Sequence, residues 1–458
     1  MYKSVLFLIA MTFVSCNQAQ DQISPSATLI SNVNVVDVRT GNIIEDQQIV
    51  IDSGKIKSIS EMLPNADKYT RVIEGKGNYA IPGLAEMHAH IPSPDTSKKR
   101  IEETLFLYLS NGVTTIRGML GHPSHLEMRE KALKGELLSP RIFTSSPSLN
   151  GNTVPTPQEA RKKVTAYKND GYDFLKIHPG IPLDAFDEMV KTAREVEITF
   201  SGHVPVAVGI RHALESKYAS IDHVDGFLEG LVPDDENVNP SDNGFFGFAF
   251  TNLANTDKIP ELVRLANENK VWVVPTQSLF ERWFAPISSE ELLAQPEMKY
   301  MPASTLTAWR SRKDQTTGAG SGFDKTQYET FDAIRLQLIK SLQQNGHGML
   351  LGSDAPQLFN VPGFSIHHEI SGMLRAGLTP REILQSGTIN PALFFGQEDQ
   401  FGEIKVGMDA DIVLVNANPL EDISALKDII GVMVRGHWLS KANIDEKLDE
   451  IAANAANN

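Results

Sequence analysis

Cysteine is all but missing from this sequence: one, Cys16, among 458 residues. A disulfide framework is therefore excluded, and the chain must be held by an ordinary packed core. Basic charge is also in deficit. Asp and Glu number 57 against 42 Lys and Arg, for a formal net charge of −15, and no basic stripe runs along the chain. Such a field repels phosphate backbones, which argues against nucleic acid as a partner. Long apolar runs are lacking too. The start of the chain holds one, residues 5–14, and it is too short to cross a bilayer as a helix. Hydrophobic residues make up 41% and charged ones 22%, which argues against wholesale disorder and leaves a globular chain with more than one domain.

The short run suits a different purpose. In "MYKSVLFLIAMTFVSC", Lys3 precedes the apolar stretch and small Ser15 precedes Cys16. This is the layout of a secretory signal. Its ending, "FVSC", is similar to a bacterial lipobox, in which the cysteine becomes the lipidated first residue. The reading is a signal peptide over 1–15 and a lipidated tether over 16–27, carried by Cys16 and the polar "NQAQDQISPSA". It implies a bacterial cell-envelope lipoprotein held to the membrane by its anchor, on either the periplasmic or the surface side. The plainer alternative is an ordinary signal peptide cut nearby.

From residue 28 the pattern is strand-like: "TLISNVNVVDV", "QQIVID" and "IKSIS" are separated by Gly-containing turns. It returns near the other end in "GEIKVGMDADIVLVNANP" and "IIGVMVRGHWLS". These segments predict a small β-sandwich domain built from both ends, over 28–80 and 400–445, with a C-terminal tail at 446–458. Between them, over 81–399, eight short apolar strands alternate with helix-like stretches such as "TPQEARKKVTAYKND". That alternation predicts an α/β fold, a (β/α)8 TIM barrel. An open doubly wound sheet is the runner-up, but no Gly-rich phosphate turn follows the first strand.

In such a barrel chemistry gathers where strands end. With 12 histidines in the chain, one His-x-His pair means little, and "MHAH" (His88 and His90) is such a pair. Side-chain alternation puts its two rings on one face. Further polar residues fall at later strand ends: Lys176 in "FLKI", His203 in "SGHVP", His223 in "SIDHVDG" and Asp354 in "LGSDAP". Six candidates at five strand ends are not a chance pattern.

Taken in order, these motifs resemble the amidohydrolase superfamily of metal-dependent hydrolases. The resemblance runs from about residue 28 to 440 and includes "GLTPREILQSGTINPA", whose form is typical after the eighth strand. It implies that His88, His90 and Asp354 bind one divalent metal and His203 and His223 a second, with zinc the suited ion. Lys176 would bridge them as a carbamate formed with CO2, and Asp354 would double as general base and then acid. Lys176 salt-bridged to a carboxylate, with a single metal as in imidazolonepropionase-like and deaminase-like branches, is the alternative.

The implied activity is hydrolysis of an amide bond in a small, peptide-like molecule. A lactonase or esterase would use the same site. A binding lipoprotein on a retired barrel is the alternative outside enzymes. Within the superfamily, prolidase-like members tend to carry a His after strand 3 and a Tyr after strand 6. Here "SLNGNTVPTP" and "VDGFLEG" supply neither, which puts dipeptide specificity in doubt. Candidate substrate contacts are His178, two residues beyond Lys176, Arg117 at the end of strand 2, and His367 of "SIHHEI". Arg117 suits a local acid better than a substrate. Two long insertions after strands 6 and 7, rich in aromatics, read as lids or as packing. An oligomer is left open.

Overall fold

The computed structural model describes residues 27–62 and 64–457. The expected signal segment, Cys16 and nearly all of the tether lie outside the described residues.

Strands from both ends of the chain join in one eight-stranded sheet. Thr28–Asp37 pairs antiparallel with Asn42–Asp52 across a tight turn, which in turn pairs with Lys55–Ser60. Asp37 makes that turn by accepting from the backbone N–H groups of Arg39 and Thr40, and Gly41 supplies the left-handed residue with φ of 80°. Tyr79–Pro82 is the seam: it runs parallel to Thr28–Asp37 and antiparallel to Ile412–Val415. Ile429–Val434 and His437–Ser440 complete the C-terminal side. Alternate residues of these strands, among them Ile30, Val33, Ile49, Ile412 and Leu414, form a separate apolar core. The C-terminal tail is not loose. Helix Lys441–Ala456 begins at a Ser440–Asn443 capping box, and Asn454 donates to Glu103 at 2.8 Å.

The middle of the chain alternates strand and helix. Leu84–Ala89, Val113–Gly118 and Arg141–Thr144 form one parallel sheet, and Phe174–Ile177, Thr199–Gly202, Ser220–Asp222 and Trp272–Val274 another. Helices carry the crossovers, as parallel neighbours require. Pro157–Asp170 is representative. Thr156 caps its start by accepting from Glu159 N–H, and Gly171, at φ of 87°, ends it. Leu183–Glu195 buries Ala185, Phe186, Met189, Val190 and Ala193 on one face, the helical repeat its sequence carries.

The pairing departs from the expected single ring of eight regular strands. The two sheets meet through isolated parallel bridges, Ser145↔Phe174 and Leu149↔Ile177. The eighth expected strand, "GMLLGSDAP", is not a regular strand. It bridges Val273 through Met349 and Ala89 through Ala355. Asp354 N–H donates to His88 O at 3.0 Å, and Met87 N–H to Leu351 O at 2.8 Å. The segment therefore lies beside the first and seventh strands, but its backbone turns left-handed at Asp354, with φ of 63°, and cannot continue a ladder.

The two insertions are largely helical. Gln277–Phe284, Ser289–Leu293, Ala303–Thr317 and Lys325–Asn345 fill the second. Their aromatics divide into two sets. Phe248 stacks on Phe284 at 5.0 Å, and Tyr300 on Phe364 at 5.0 Å, so these serve packing. Phe245, Phe246 and Trp283 instead line the cavity described next.

Candidate metal centre

All six candidate ligands line one cavity of about 530 Å³. Five stretches of backbone deliver them. His88 lies in Leu84–Ala89 with His90 just beyond it, Lys176 lies within Phe174–Ile177, and His203 and His223 follow directly on Thr199–Gly202 and Ser220–Asp222. His223 and Thr276, like Asp354, are in left-handed backbone, at φ of 67° and 46°. Such strain concentrates where geometry serves chemistry.

The rings form one cluster. His88 lies 4.5 Å from His223 between centroids, and His203 lies 4.6 Å from His223. Asp354 Oδ1 sits 2.7 Å from His90 Nε2 and 3.6 Å from His88 Nε2. Ligand atoms of His88, His90 and Asp354 all fall within 4.8 Å of one another. Burial makes protonation unfavourable and holds His88 and His223 well below the usual histidine value. Neutral imidazoles are what a metal ion requires. Burial alone would raise Asp354, but His88, His90 and Lys176 outweigh it and keep the carboxylate ionised.

The outer ring nitrogens are held from behind. His203 Nδ1 is 3.1 Å from Asp225 Oδ2, and His223 Nδ1 is 2.8 Å from Thr276 Oγ1. His88 Nδ1 is 3.1 Å from Asp222 Oδ2, at an angle too oblique for a hydrogen bond. Each arrangement leaves Nε2 for the cavity, the orientation that metal-binding histidines take. Glu86 braces the other side: it accepts from His88 N–H and from Ser353 N–H and Oγ, fixing the first strand to the Asp354 segment.

Lys176 is the anomaly. Its side chain is fully buried, its Nζ has no hydrogen-bond partner among the described residues, and the nearest carboxylate, Asp222, is 4.0 Å away. Burial pushes its pKa down to about 8. An ammonium so placed is costly, so the donor set fits a group that occupies the space between Lys176 and the histidines.

The three predicted substrate contacts fare differently. His178 lines the cavity, faces His203 at 5.2 Å between centroids and is fixed by Ser148 Oγ, 2.7 Å from its Nδ1. Arg117 does not line it. Its guanidinium is buried and donates to Met87 O, Ser220 Oγ and Asp222 Oδ1, so it reaches no substrate carboxylate. His367 is corrected likewise: it is buried, 3.2 Å from Asn111 Oδ1, and borders a different cavity with His368. Because Arg117 neutralises buried Asp222, Arg117→Ala is expected to lower folding stability by about 3–5 kcal/mol, read from urea unfolding curves.

Sequence reading missed Glu86, Asp222, Asp225, Thr276, Glu229 and Phe246. Asp222 and Asp225 flank His223 in "IDHVD", and an acid within an apolar strand was the available signal. Phe246 carried only the general signal of an aromatic-rich insertion. Its ring meets His203 at 5.7 Å and His223 at 5.3 Å only because the insertion folds back over the site.

Comparison with known proteins gives the family. The sequence profile described as the amidohydrolase family matches residues 79–439. The chain belongs to that family, whose members are hydrolases acting on carbon–nitrogen bonds. An imidazolonepropionase from Colwellia psychrerythraea is 25% identical over 427 residues, spanning 85% of this chain and 91% of that protein. An adenine deaminase from Clostridium botulinum is 22% identical over 421 residues, spanning 92% of this chain but 58% of its own length. The chain thus covers little more than half of that second relative. Among solved structures, bottromycin amidohydrolase superposes with a TM-score of 0.72 at 22% identity, covering 94% of this chain and 90% of that one. A Xaa-Pro dipeptidase does so with a TM-score of 0.63 at 19% identity, covering 91% and 100%. These structural likenesses are of fold.

Proposed function

We propose that the protein is a metal-dependent amidohydrolase that cleaves an amide bond in a small, peptide-like molecule, using two divalent ions, zinc for preference. The observation that carries this reading is the convergence of His88, His90, His203, His223 and Asp354 on one cavity around the unpartnered amine of Lys176. His88, His90 and Asp354 would hold one ion, His203 and His223 the other, and Lys176 would bridge them as a carbamate. That modification forms when the neutral amine adds to the carbon of CO2 and gives up a proton, which converts a repelling cation into an anion with two oxygens. The ions would supply a Lewis acid for the scissile carbonyl and water made acidic enough to ionise near neutral pH. Asp354, ionised and within 2.7 Å of His90, accepts the proton of the attacking water and returns it to the leaving nitrogen. The aromatic wall of Phe245, Phe246 and Trp283 keeps bulk water from the bond.

A single-metal reading has one observation in its favour: His88, His90 and Asp354 are the compact group among the described residues. Metal stoichiometry by mass spectrometry decides between them. The activity itself is tested by a hydrolysis screen over dipeptides, N-acyl amino acids and lactones. A protein binding less than one metal per chain, or inert to all three classes, sinks the enzymatic reading. Asp225 orients His203, so Asp225→Asn is expected to weaken zinc binding by about 10- to 100-fold, measured by equilibrium dialysis.

The same proposal extends to architecture and place. The two parallel sheets and the 349–355 segment are read as one (β/α)8 barrel, and the terminal sheet as the small β-sandwich domain. Lipidation at Cys16 would anchor the enzyme in the bacterial cell envelope. Cys16→Ser should then release it from the membrane fraction, and unchanged fractionation would remove the anchor from the account.

A further inference from the structure

Beside the metal-site cavity lies a second one, of about 400 Å³, that no step above uses. Its wall is mostly apolar, with Val206, Val208, Val232, Val238 and Phe250 prominent. The two cavities share Val204, Val206 and Glu229, so they meet at a carboxyl group.

Glu229 is placed rather than incidental. Its Oε1 accepts from Asn243 Nδ2 at 2.7 Å, while its Oε2 is buried with no hydrogen-bond partner among the described residues. The loop backbone presses on it: a Cβ at Gly247 would come within 2.9 Å of both Glu229 Cδ and Oε2. Gly247 itself has φ of 76°, so this close approach needs glycine twice over. Burial, and then the charge of Asp225, push the Glu229 carboxyl up to about 7. A carboxyl in this state lacks one thing, a donor for its second oxygen, and a cationic donor satisfies it best.

We propose that Glu229 and the valine-lined cavity form the second half of the substrate pocket and take a cationic amine that carries an apolar arm. The amine meets the Glu229 carboxyl at the junction and the arm fills the valine-lined space. An anionic group is disfavoured there by Glu229 and Asp225. The one arginine bordering this cavity, Arg211, does not offset them, since it is paired with both oxygens of Glu261 at 2.8 and 2.9 Å. The inference rests on the hydrolase reading only in calling the occupant a substrate.

The test therefore uses probes with no bond to hydrolyse: 4-phenylbutylamine, the neutral 4-phenylbutan-1-ol and the anionic 5-phenylpentanoate. Their binding to the metal-loaded protein is measured by calorimetry. The amine is expected to bind at least about tenfold tighter than the alcohol, and the acid weakest. Glu229→Gln keeps an acceptor for Asn243, so the fold should hold, and it should bring amine and alcohol within about twofold. Val208→Trp, which fills the second cavity without touching the carboxyl, should weaken both by about tenfold or more. Equal binding of amine and alcohol to the unaltered protein overturns the proposal. So does an amine preference that survives Glu229→Gln, since the amine would then sit on the metals, or unchanged affinities in Val208→Trp. None of these outcomes depends on hydrolysis, so a failed activity screen and a failed amine site are told apart.

Discussion

Alanine in place of His88 is expected to lower hydrolysis by about 10³-fold and to strip metal from the protein, with both losses read on the same preparation. The size follows from what the ring touches. Metal-assisted charge stabilisation contributes several kcal/mol to the transition state, and about 4 kcal/mol corresponds to that factor. His88 is central to the cluster, 4.5 Å from the His223 ring and 5.3 Å from the His90 ring, and it separates Asp222 from Asp354. The ring also supplies one of the contacts that keep Asp354 ionised. Activity unaffected by the substitution would place the chemistry elsewhere.

The second large effect concerns Lys176 and runs in opposite directions for stability and function. Lys176→Met is expected to abolish activity and the second metal, yet to leave the metal-free protein as stable as before or more so. A buried amine with its nearest carboxylate at 4.0 Å has lost its hydration without gaining a close partner. A buried charge without a hydrogen-bonded partner is costly, and an apolar side chain of similar shape removes that cost. A chain retains such a residue when function demands it. Denaturant unfolding of the metal-free forms measures the first half, and metal content with turnover the second. Partial recovery of Lys176→Ala by short carboxylic acids would supply the missing bridge from solution. Two bound metals and full activity in Lys176→Met would instead favour a site in which the lysine takes no part.

Much of this was legible in order along the chain. The candidate positions could be picked out because each falls at or near the end of an apolar stretch, and strand ends are where a barrel exposes side chains for chemistry. The joining of the two chain ends could be expected from matching strand patterns, and the seam at Tyr79–Pro82 realises it. Other features had no local signature. The periodicity of "GMLLGSDAP" suggests a strand, but the left-handed Asp354 that aims the carboxylate breaks it. Arg117 suited a local acid better than a substrate, but no neighbour in the sequence named the acid. It is Asp222, 105 residues away in sequence, on a strand of the other parallel sheet.

The sequence by itself determined which chemistry-bearing residues stand at strand ends, because hydrophobic periodicity is a property of neighbours along the chain. It also determined the family, through the spacing of short motifs. Only the tertiary structure decided which groups are left without partners. Lys176 Nζ and Glu229 Oε2 are ordinary polar atoms in the sequence. They become functional signals once the fold removes water and supplies nothing in its place. The cost of an unpaired polar group depends on everything packed around it, and that information is distributed over residues far apart in the chain.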